Sequence, residues 1–240
     1  MPFSQFKLHP DLMRGLKDLG FARPTPIQAD AIPPGLEGKD VLACAMTGSG
    51  KTVAFLLPIL NQLIGKPRGT TRALIITPTR ELAAQILEDL NDLAVHTPLN
   101  GAAVFGGVGM GPQEHAFRSG VDVIVGTPGR LLDHFRAPYA KLAGIEFLVL
   151  DEADRMLDMG FLPDIRRVLR HMAQDLADLG EESHVEHPVG LVEHQVLDLV
   201  ELGVPVAQVV QEPARGRDHH VDAAPEGVLL RAHRHPVELV

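Results

Sequence analysis

A glycine-rich segment between a strand-like run and a helix-like stretch limits the possible folds of this chain more than any other feature. It follows the apolar run 40–45, precedes the helical pattern 51–63, and reads Ala45, Met46, Thr47, Gly48, Ser49, Gly50, Lys51, Thr52. Glycines let successive backbone N–H groups turn towards one anion, and the helix N-terminus adds positive potential. The order predicts a phosphate-binding loop, although Ala45 stands where the general pattern has its first glycine. The alternative is a glycine turn that opens a structural helix.

The residues that end this loop suggest what it binds. A lysine in this position can reach the β- and γ-phosphates of a nucleotide, so Lys51 is a candidate catalytic residue. The next hydroxyl can complete a Mg²⁺ shell, which makes Thr52 a candidate metal ligand. The neighbouring Cys44 is interpreted as a small buried residue rather than a nucleophile.

An acidic cluster follows another apolar run, 145–150. Asp151, Glu152 and Asp154 stand directly after it, where ligands bind in open α/β sheets. Asp151 is predicted to hold Mg²⁺ through water, and Glu152 to polarise an attacking water as general base. The alternative is a helix N-cap with a solvated first turn. The phosphate-binding loop earlier in the chain favours the catalytic interpretation.

The first 172 residues alternate strand-like and helix-like stretches, the pattern of a parallel α/β sheet flanked by helices. The predicted strands are 40–45, 73–77, 102–105, 121–126 and 145–150. The predicted helices are 10–19, 51–63, 79–93, 129–135 and a last one whose apolar face runs from Ile165 to Leu179, with Gly180 as its stop.

Residues 173–240 differ in composition from the rest. They carry 13 acidic and 4 basic residues, whereas residues 1–172 carry 18 of each, so the whole net charge of −9 belongs to this tail. Three interpretations are open: an unselected sequence from a frame change or gene fusion, an acidic interaction tail, or a metal site formed by the tail's seven histidines. Residues 189–202 could form an amphipathic helix, whereas Pro205 makes a strand over 204–210 doubtful.

Together these motifs resemble the first RecA-like domain of a DEAD-box RNA helicase, of the compact bacterial kind, from about Phe3 to Met172. Residues 20–28, Gly-Phe-Ala-Arg-Pro-Thr-Pro-Ile-Gln, resemble the family's adenine-reading motif. The resemblance implies ATP and Mg²⁺ as ligands, with Phe21 and Gln28 at the base and Phe3 as the upstream stacking aromatic, unless Phe3 is simply core. The amide of Gln28 both donates and accepts, as an adenine edge requires.

Three further segments match the family's RNA-facing motifs. They supply the candidate RNA contacts Pro78, Thr79, Arg80, Gly106, Gly107, Thr127 and Arg130. In the family such segments grip single-stranded RNA by its sugar-phosphate backbone, where arginines and loop N–H groups meet phosphates and no sequence preference is expected. Taken singly, each is only a turn or a strand end.

The resemblance stops in the tail. The tail has no match to the family's strand that ends in Ser-Ala-Thr. It also has no match to the family's second RecA-like domain, which carries the arginine finger. Two expectations follow: Asp154 lacks the hydroxyl partners of interdomain coupling, and the sheet lacks a central strand unless the tail fills the gap. We therefore expect weak ATP binding at best and no unwinding by this chain alone.

Composition limits the remaining classes of protein. A single cysteine excludes a disulfide scaffold, and no apolar run approaches the ~18 residues of a membrane span. With no secretory signal, the prediction is a cytoplasmic protein without membrane contact.

The function predicted is an ATP-dependent RNA helicase present as its first domain. The rivals are a nucleotide- or RNA-binding module without turnover and a phosphate-loop enzyme such as a small-molecule kinase.

Overall fold

Short parallel strands alternate with helices along the chain. The computed structural model describes residues 2–177 and the strand at 206–210. The strands are β1 (Val41–Cys44), β2 (Ala73–Ile76), β3 (Gly101–Val104), β4 (Val123–Gly126), β5 (Phe147–Asp151) and β6 (Val206–Val210). A short 3-10 helix spans Phe3–Phe6, and the α-helices are α1 (Pro10–Asp18), α2 (Pro26–Leu36), α3 (Lys51–Leu63), α4 (Arg80–Leu93), α5 (Met110–Ser119), α6 (Pro128–Phe135), α7 (Ala153–Asp158) and α8 (Leu162–Ala177).

The strands form one parallel sheet in the order β1-β6-β5-β2-β4-β3. Each of β2, β4 and β5 is buried along its whole length, because helices cover both faces of the sheet. One core contains Ile75, Val125 and Val149 with apolar residues of α1, α3 and α4. The other contains Leu74, Ile124 and Leu148 with residues of α5 to α8. The predicted fold class is therefore confirmed.

Three helices were not predicted from the sequence. Helix α2 contains Pro33 and Pro34, and α5 contains Gly111 and Pro112, residues that weaken the periodic pattern by which helices are recognised. Helix α7 has six residues, too few to show a period. The helix predicted over 165–179 is present as α8, which ends at Ala177; Leu179 and Gly180 lie outside the described residues.

Strand β6 occupies the central position of the sheet for which the family resemblance found no strand. Its backbone pairs with Val41–Cys44 of β1 on one side and with Leu148–Asp151 of β5 on the other. The doubt raised by Pro205 was wrong, because the strand begins at the following residue and a proline is tolerated at a strand's start. Part of the tail thus completes the sheet, while the predicted helix at 189–202 and the tail histidines lie outside the described residues.

Candidate functional site

The two predicted catalytic segments lie at the same edge of the sheet. Strand β1 ends at Cys44 and leads into the phosphate-binding loop 45–52, and β5 ends at Asp151. Parallel strands place their carboxyl ends at one edge, so the loop and the carboxylates share it. Strand β6 lies between β1 and β5 and therefore sets the distance between the two segments.

The backbone of the phosphate-binding loop has the left-handed turns that its glycines allow. Gly48 has φ +79° and Gly50 has φ +90°. Gly50 is required for a second reason, because a Cβ there would lie 2.4 Å from Nε2 of Gln28. A side chain at position 50 would therefore both strain the loop and displace the glutamine.

Lys51 connects the loop to the acidic edge of β5. Its side chain is buried and its ammonium donates a hydrogen bond to the carbonyl of Ala45. Burial lowers the pKa of Lys51, while the charges of Asp151, Glu152 and Asp154 act in the opposite direction. The structure thus brings the predicted lysine and all three predicted carboxylates into one electrostatic cluster.

The carboxyl of Asp151 is buried in an acidic environment. The residue is 4% exposed, and burial, helped by the charge of Glu152 and opposed by that of Lys51, raises the pKa of Asp151 to about 6. A divalent cation would favour the ionised form of such a carboxyl. Within the described residues, no three or more His, Cys, Asp or Glu side chains are grouped so that they could hold a metal ion.

Glu152 occupies a strained turn between β5 and α7. Its φ of +54° lies in the left-handed region, which is uncommon for a residue with a side chain. The side chain is largely buried, and Nη1 of Arg155 donates to its Oε2 at 3.0 Å. The turn and the arginine together restrict the carboxylate of Glu152, whose charge acts on Asp151. Backbone strain of this kind is common at functional sites.

An unpartnered hydroxyl is consistent with an anion in the loop. Oγ of Ser49 is buried and has no hydrogen-bond partner among the described residues. An orphaned buried donor is costly, and a phosphate oxygen would satisfy it. The loop's left-handed glycines, this hydroxyl and Lys51 therefore fit the phosphates of a nucleotide. Thr47 is exposed at the mouth of the loop, and Thr52 is half-buried in the first turn of α3.

Gln28 joins the start of α2 to the phosphate-binding loop. Its Oε1 accepts a hydrogen bond from the backbone N–H of Thr25 at 3.0 Å, and its Nε2 donates to the carbonyl of Gly50 at 3.1 Å. Thr25 in turn caps the helix by accepting from the N–H of Gln28. These bonds leave one amide hydrogen and one oxygen lone pair of Gln28 unused, and the residue is 1% exposed.

The two predicted base-stacking aromatics differ in exposure. Phe3 is 3% exposed and lies in the core, with its ring edge-to-face against Phe6 and Phe21 at 5.8 and 6.0 Å. Phe21 is half-buried. Phe3 therefore packs against Phe21 within the core. Of the two rings, only that of Phe21 keeps an exposed surface.

The predicted RNA contacts gather at the same edge, beyond β5. Nη1 of Arg80 lies 3.2 Å from where a Cβ would stand on Gly107, and Nη1 of Arg130 donates to the carbonyl of Val108 at 2.9 Å. Three segments distant in sequence are thus in contact. Gly106 and Arg80 are exposed, whereas Pro78 is buried and shapes the turn from β2 into α4. The hydroxyl of Thr79 caps α4, and Thr127 is half-buried at the start of α6.

Comparison with known proteins identifies the family. The profile of the DEAD/DEAH box helicase family matches residues 25–185, about two thirds of the chain. The chain belongs to the DEAD/DEAH box helicase family. It is 48% identical over 169 residues to the ATP-dependent RNA helicase SrmB of Escherichia coli K12, and 47% identical over 179 residues to the ATP-dependent RNA helicase RhlB of Xanthomonas oryzae pv. oryzae. The predicted family is thereby confirmed.

The chain spans about a third of the length of these relatives. The SrmB alignment covers 69% of this chain and 38% of that protein, and the RhlB alignment covers 72% and 31%. The crystal structure of a hypothetical ATP-dependent RNA helicase from Sulfolobus tokodaii superposes with a TM-score of 0.66 at 29% identity, over 85% of this chain and 50% of that one. The matched part of this DEAD/DEAH box protein thus contains the helicase-like fold.

Sequence reasoning missed several polar residues of this helicase domain. Buried Gln113 and His134 and half-buried Tyr139 form a hydrogen-bonded chain beside the predicted RNA contacts, and Arg155 holds Glu152. No local sequence pattern predicts these contacts. Thr25 is different, because a threonine three residues before a glutamine is the signature of a capping box.

No helix among the described residues is long and apolar enough to cross a membrane.

Proposed function

We propose that this chain is the ATP- and RNA-binding first domain of a DEAD-box RNA helicase. The observation that supports this most directly is the clustering of Lys51 with Asp151, Glu152 and Asp154 at the carboxyl edge of the sheet. A phosphate-binding lysine beside two buried carboxylates suits hydrolysis of the ATP β–γ anhydride. The relatives SrmB and RhlB are named ATP-dependent RNA helicases.

The nucleotide would be held at both ends. Residues 47–52 would cradle its phosphates, with Lys51 on the β- and γ-phosphates, while Gln28 and Phe21 would hold the adenine, supported by Phe3. Thr52 and, through water, Asp151 would hold Mg²⁺, which neutralises charge that develops on the phosphates. Glu152 would accept a proton from the attacking water. Its strained turn and its bond to Arg155 favour a fixed position for this task.

Single-stranded RNA, or one strand of a duplex, would lie across the second half of the same edge. The guanidinium groups of Arg80 and Arg130 would meet its phosphates, together with the backbone N–H groups of Gly106 and Gly107. Among the described residues, neither N–H group donates to a backbone carbonyl. Binding of this kind follows the sugar-phosphate backbone and carries no sequence preference.

Unwinding would need more than this domain. We propose that a second RecA-like domain supplies an arginine for the γ-phosphate, a feature worth about 10³- to 10⁵-fold in related phosphoryl transfers. Asp154 is half-buried at the start of α7, facing the acidic cluster, and is proposed to couple the two domains. A protein with these ligands would work in the cytoplasm, where RNA and ATP are both present.

The test is ATP hydrolysis by the purified chain with and without single-stranded RNA. Slow hydrolysis that RNA stimulates, and that Glu152→Gln abolishes while nucleotide binding persists, is the expected result for a first domain that acts without the arginine of the second. Nucleotide and RNA binding without stimulated turnover would favour the rival, a binding module. Equal affinity for ATP and GTP would contradict the proposed reading of the adenine by Gln28.

Gln28→Leu is expected to reduce the preference for ATP over GTP by about tenfold, because one donor and one acceptor towards the base are lost. Competition of each nucleotide with a fluorescent ATP analogue measures this preference. Thr25→Val is the control, since it removes the helix cap but leaves the amide of Gln28 in place. If Thr25→Val reduces the preference equally, the effect comes from the helix start and Gln28 does not read the base.

Asp151→Asn is expected to stabilise the nucleotide-free chain at pH 8 by about 2–3 kcal/mol. The pKa of Asp151 is raised to about 6 in the folded chain, so stability is lost as pH rises through that value. At pH 4.5 the folded carboxyl is protonated, and the gain should shrink to about 1 kcal/mol. Urea unfolding at both pH values measures it. Asp158→Asn, on the exposed side of α7, is the control; a gain independent of pH would contradict the electrostatic cause.

A further inference from the structure

The loop that carries Gly106 and Gly107 is tied to the domain at both of its ends by one side chain. Nε2 of Gln113, on α5, donates to the carbonyl of Phe105 at 3.1 Å and to that of Gly109 at 3.3 Å. Gln113 is 5% exposed, so these hydrogen bonds are shielded from water. They fix the span of the loop between the end of β3 and the start of α5.

The orientation of the Gln113 amide is set by a second buried side chain. Nε2 of His134, on α6, lies 3.3 Å from Oε1 of Gln113, and His134 is completely buried. Because both amide hydrogens of Gln113 face carbonyls, its oxygen must accept, and Nε2 of His134 must carry the hydrogen. A reversed amide would place its oxygen against two carbonyl oxygens, which is repulsive.

The tautomer of His134 is in turn fixed by Tyr139. With the hydrogen on Nε2, the other ring nitrogen can only accept, and the hydroxyl of Tyr139 lies 2.9 Å from Nδ1. The ring of Phe117 lies 5.1 Å from that of His134, and the guanidinium of Arg118 lies 4.9 Å from the Tyr139 ring. Burial, with the nearby charge of Arg130, lowers the pKa of His134 and keeps it neutral.

Three carbonyls of this loop accept hydrogen bonds from side chains of the domain. Those of Phe105 and Gly109 accept from Gln113, and that of Val108 accepts from Arg130. Two of these carbonyls accept from Gln113, so the chain that runs from Tyr139 through His134 does not only satisfy its own members but ends on an exposed loop. In a trans peptide the N–H group points opposite to the carbonyl that precedes it, so the bond from Gln113 to the carbonyl of Phe105 turns the N–H of Gly106 away from Gln113.

We infer that Gln113 is a positioning residue for RNA binding, and that His134 and Tyr139 act through it by fixing the direction of its amide. The hydrogen-bonded chain Tyr139–His134–Gln113 holds the Gly106–Gly107 loop in the conformation that receives the RNA backbone. The inference rests on the proposed function, since it gives the loop a ligand, but the tether itself can be tested without RNA.

Gln113→Met is the first test, because methionine fills the space of glutamine without its amide. Affinity for a fluorescent oligouridylate, measured with a non-hydrolysable ATP analogue present, is expected to fall by about tenfold, whereas affinity for the analogue stays unchanged. Backbone NMR order parameters of residues 106–109 are expected to fall in the RNA-free variant. His115→Ala, an exposed position on α5, is the matched control.

Position 134 offers a test by rescue. His134→Leu removes the donor to Gln113 and is expected to weaken RNA binding as Gln113→Met does. His134→Gln keeps a donor and an acceptor on one side chain and is expected to restore most of the affinity. Tyr139→Phe removes one hydroxyl and keeps the ring, so it reports in the same direction if the larger changes prevent folding.

The outcomes separate this inference from the function on which it rests. If the unaltered chain binds RNA and Gln113→Met binds it equally well with unchanged order parameters, the inference is wrong. Equal losses in His134→Gln and His134→Leu would also overturn it, because a purely structural role predicts no rescue. If the unaltered chain binds no RNA, the proposed function fails, and the order parameters of the variants still decide whether Gln113 holds the loop.

Discussion

Lys51→Met is expected to weaken ATP binding by about 10- to 100-fold, the range that loss of a charge-assisted hydrogen bond to a phosphate produces. The buried ammonium already has a protein partner in the carbonyl of Ala45, which holds it inside the loop. The neighbouring carboxylates of Asp151 and Glu152 offset part of its desolvation. Titration of a fluorescent ATP analogue, followed by unlabelled ATP as competitor, measures the loss.

The same substitution should also change the pKa of Asp151. Lys51 is the cation that lowers the pKa of Asp151 against the effect of burial, so its removal should raise that pKa further above about 6. Mg²⁺-dependent nucleotide binding should then require a higher pH than in the unaltered chain.

The control for this prediction is Lys39→Met. Lys39 is half-exposed, precedes β1, and pairs with Glu37 at 2.6 Å, so it has the same charge without a place in the loop. ATP affinity should be unchanged there. Unchanged ATP affinity in Lys51→Met would contradict the phosphate-binding role, whereas equal losses in both variants would show that general positive charge, and not the loop, attracts the nucleotide.

The parts of the fold that could be predicted are those whose signal is local. β2, β4 and β5 are buried on both faces, and their unbroken apolar runs identified them. The phosphate-binding loop and the carboxylates were found for the same reason, since each follows directly on such a run. Their mutual proximity then followed from the rule that parallel strands end at one edge.

The parts that could not be predicted depend on partners elsewhere in the chain. Gln113 is one polar residue in a helix that also holds a glycine and a proline, and only the fold brings His134 to its amide. The sequence left two alternatives for Phe3, stacking on the base or filling the core, and the packing of Phe6 and Phe21 against it places it in the core. Whether an aromatic residue stacks on a ligand or fills a core depends on which surface remains exposed.

β6 is the clearest case of this dependence. Its sequence, Val-Ala-Gln-Val-Val, contains three valines, which suit a strand, but the proline before it obscured that signal. It becomes a strand because β1 and β5 present facing rows of N–H and C=O groups with nothing else between them. An unpaired buried backbone group costs about as much as a lost hydrogen bond, so the gap selects whatever extended segment can fill it.

A chain that ends at Ala177 is therefore expected to lose roughly 5 kcal/mol or more of its free energy of unfolding, which is comparable with the whole stability of many domains. Without β6, β1 has no partner strand in the described sheet, since its only neighbour there is β6. β1 carries the phosphate-binding loop, so ATP binding should be lost together with the stability. Urea unfolding followed by far-UV circular dichroism, and ATP titration, measure both effects.

A single substitution in the 240-residue chain distinguishes the effect of losing the β6 pairing from the effect of shortening the tail. Ala207→Pro removes an N–H group from the middle of β6, which pairs on both sides, and should reproduce most of the loss. Ala207→Thr keeps the N–H group and suits a strand, so it should leave folding and ATP binding nearly unchanged. If the shortened chain and Ala207→Pro both fold and bind ATP like the unaltered protein, β6 does not hold the two halves of the nucleotide site together. If both fail while Ala207→Thr does not, then a strand outside the family's matched region supplies the central pairing on which the nucleotide site depends.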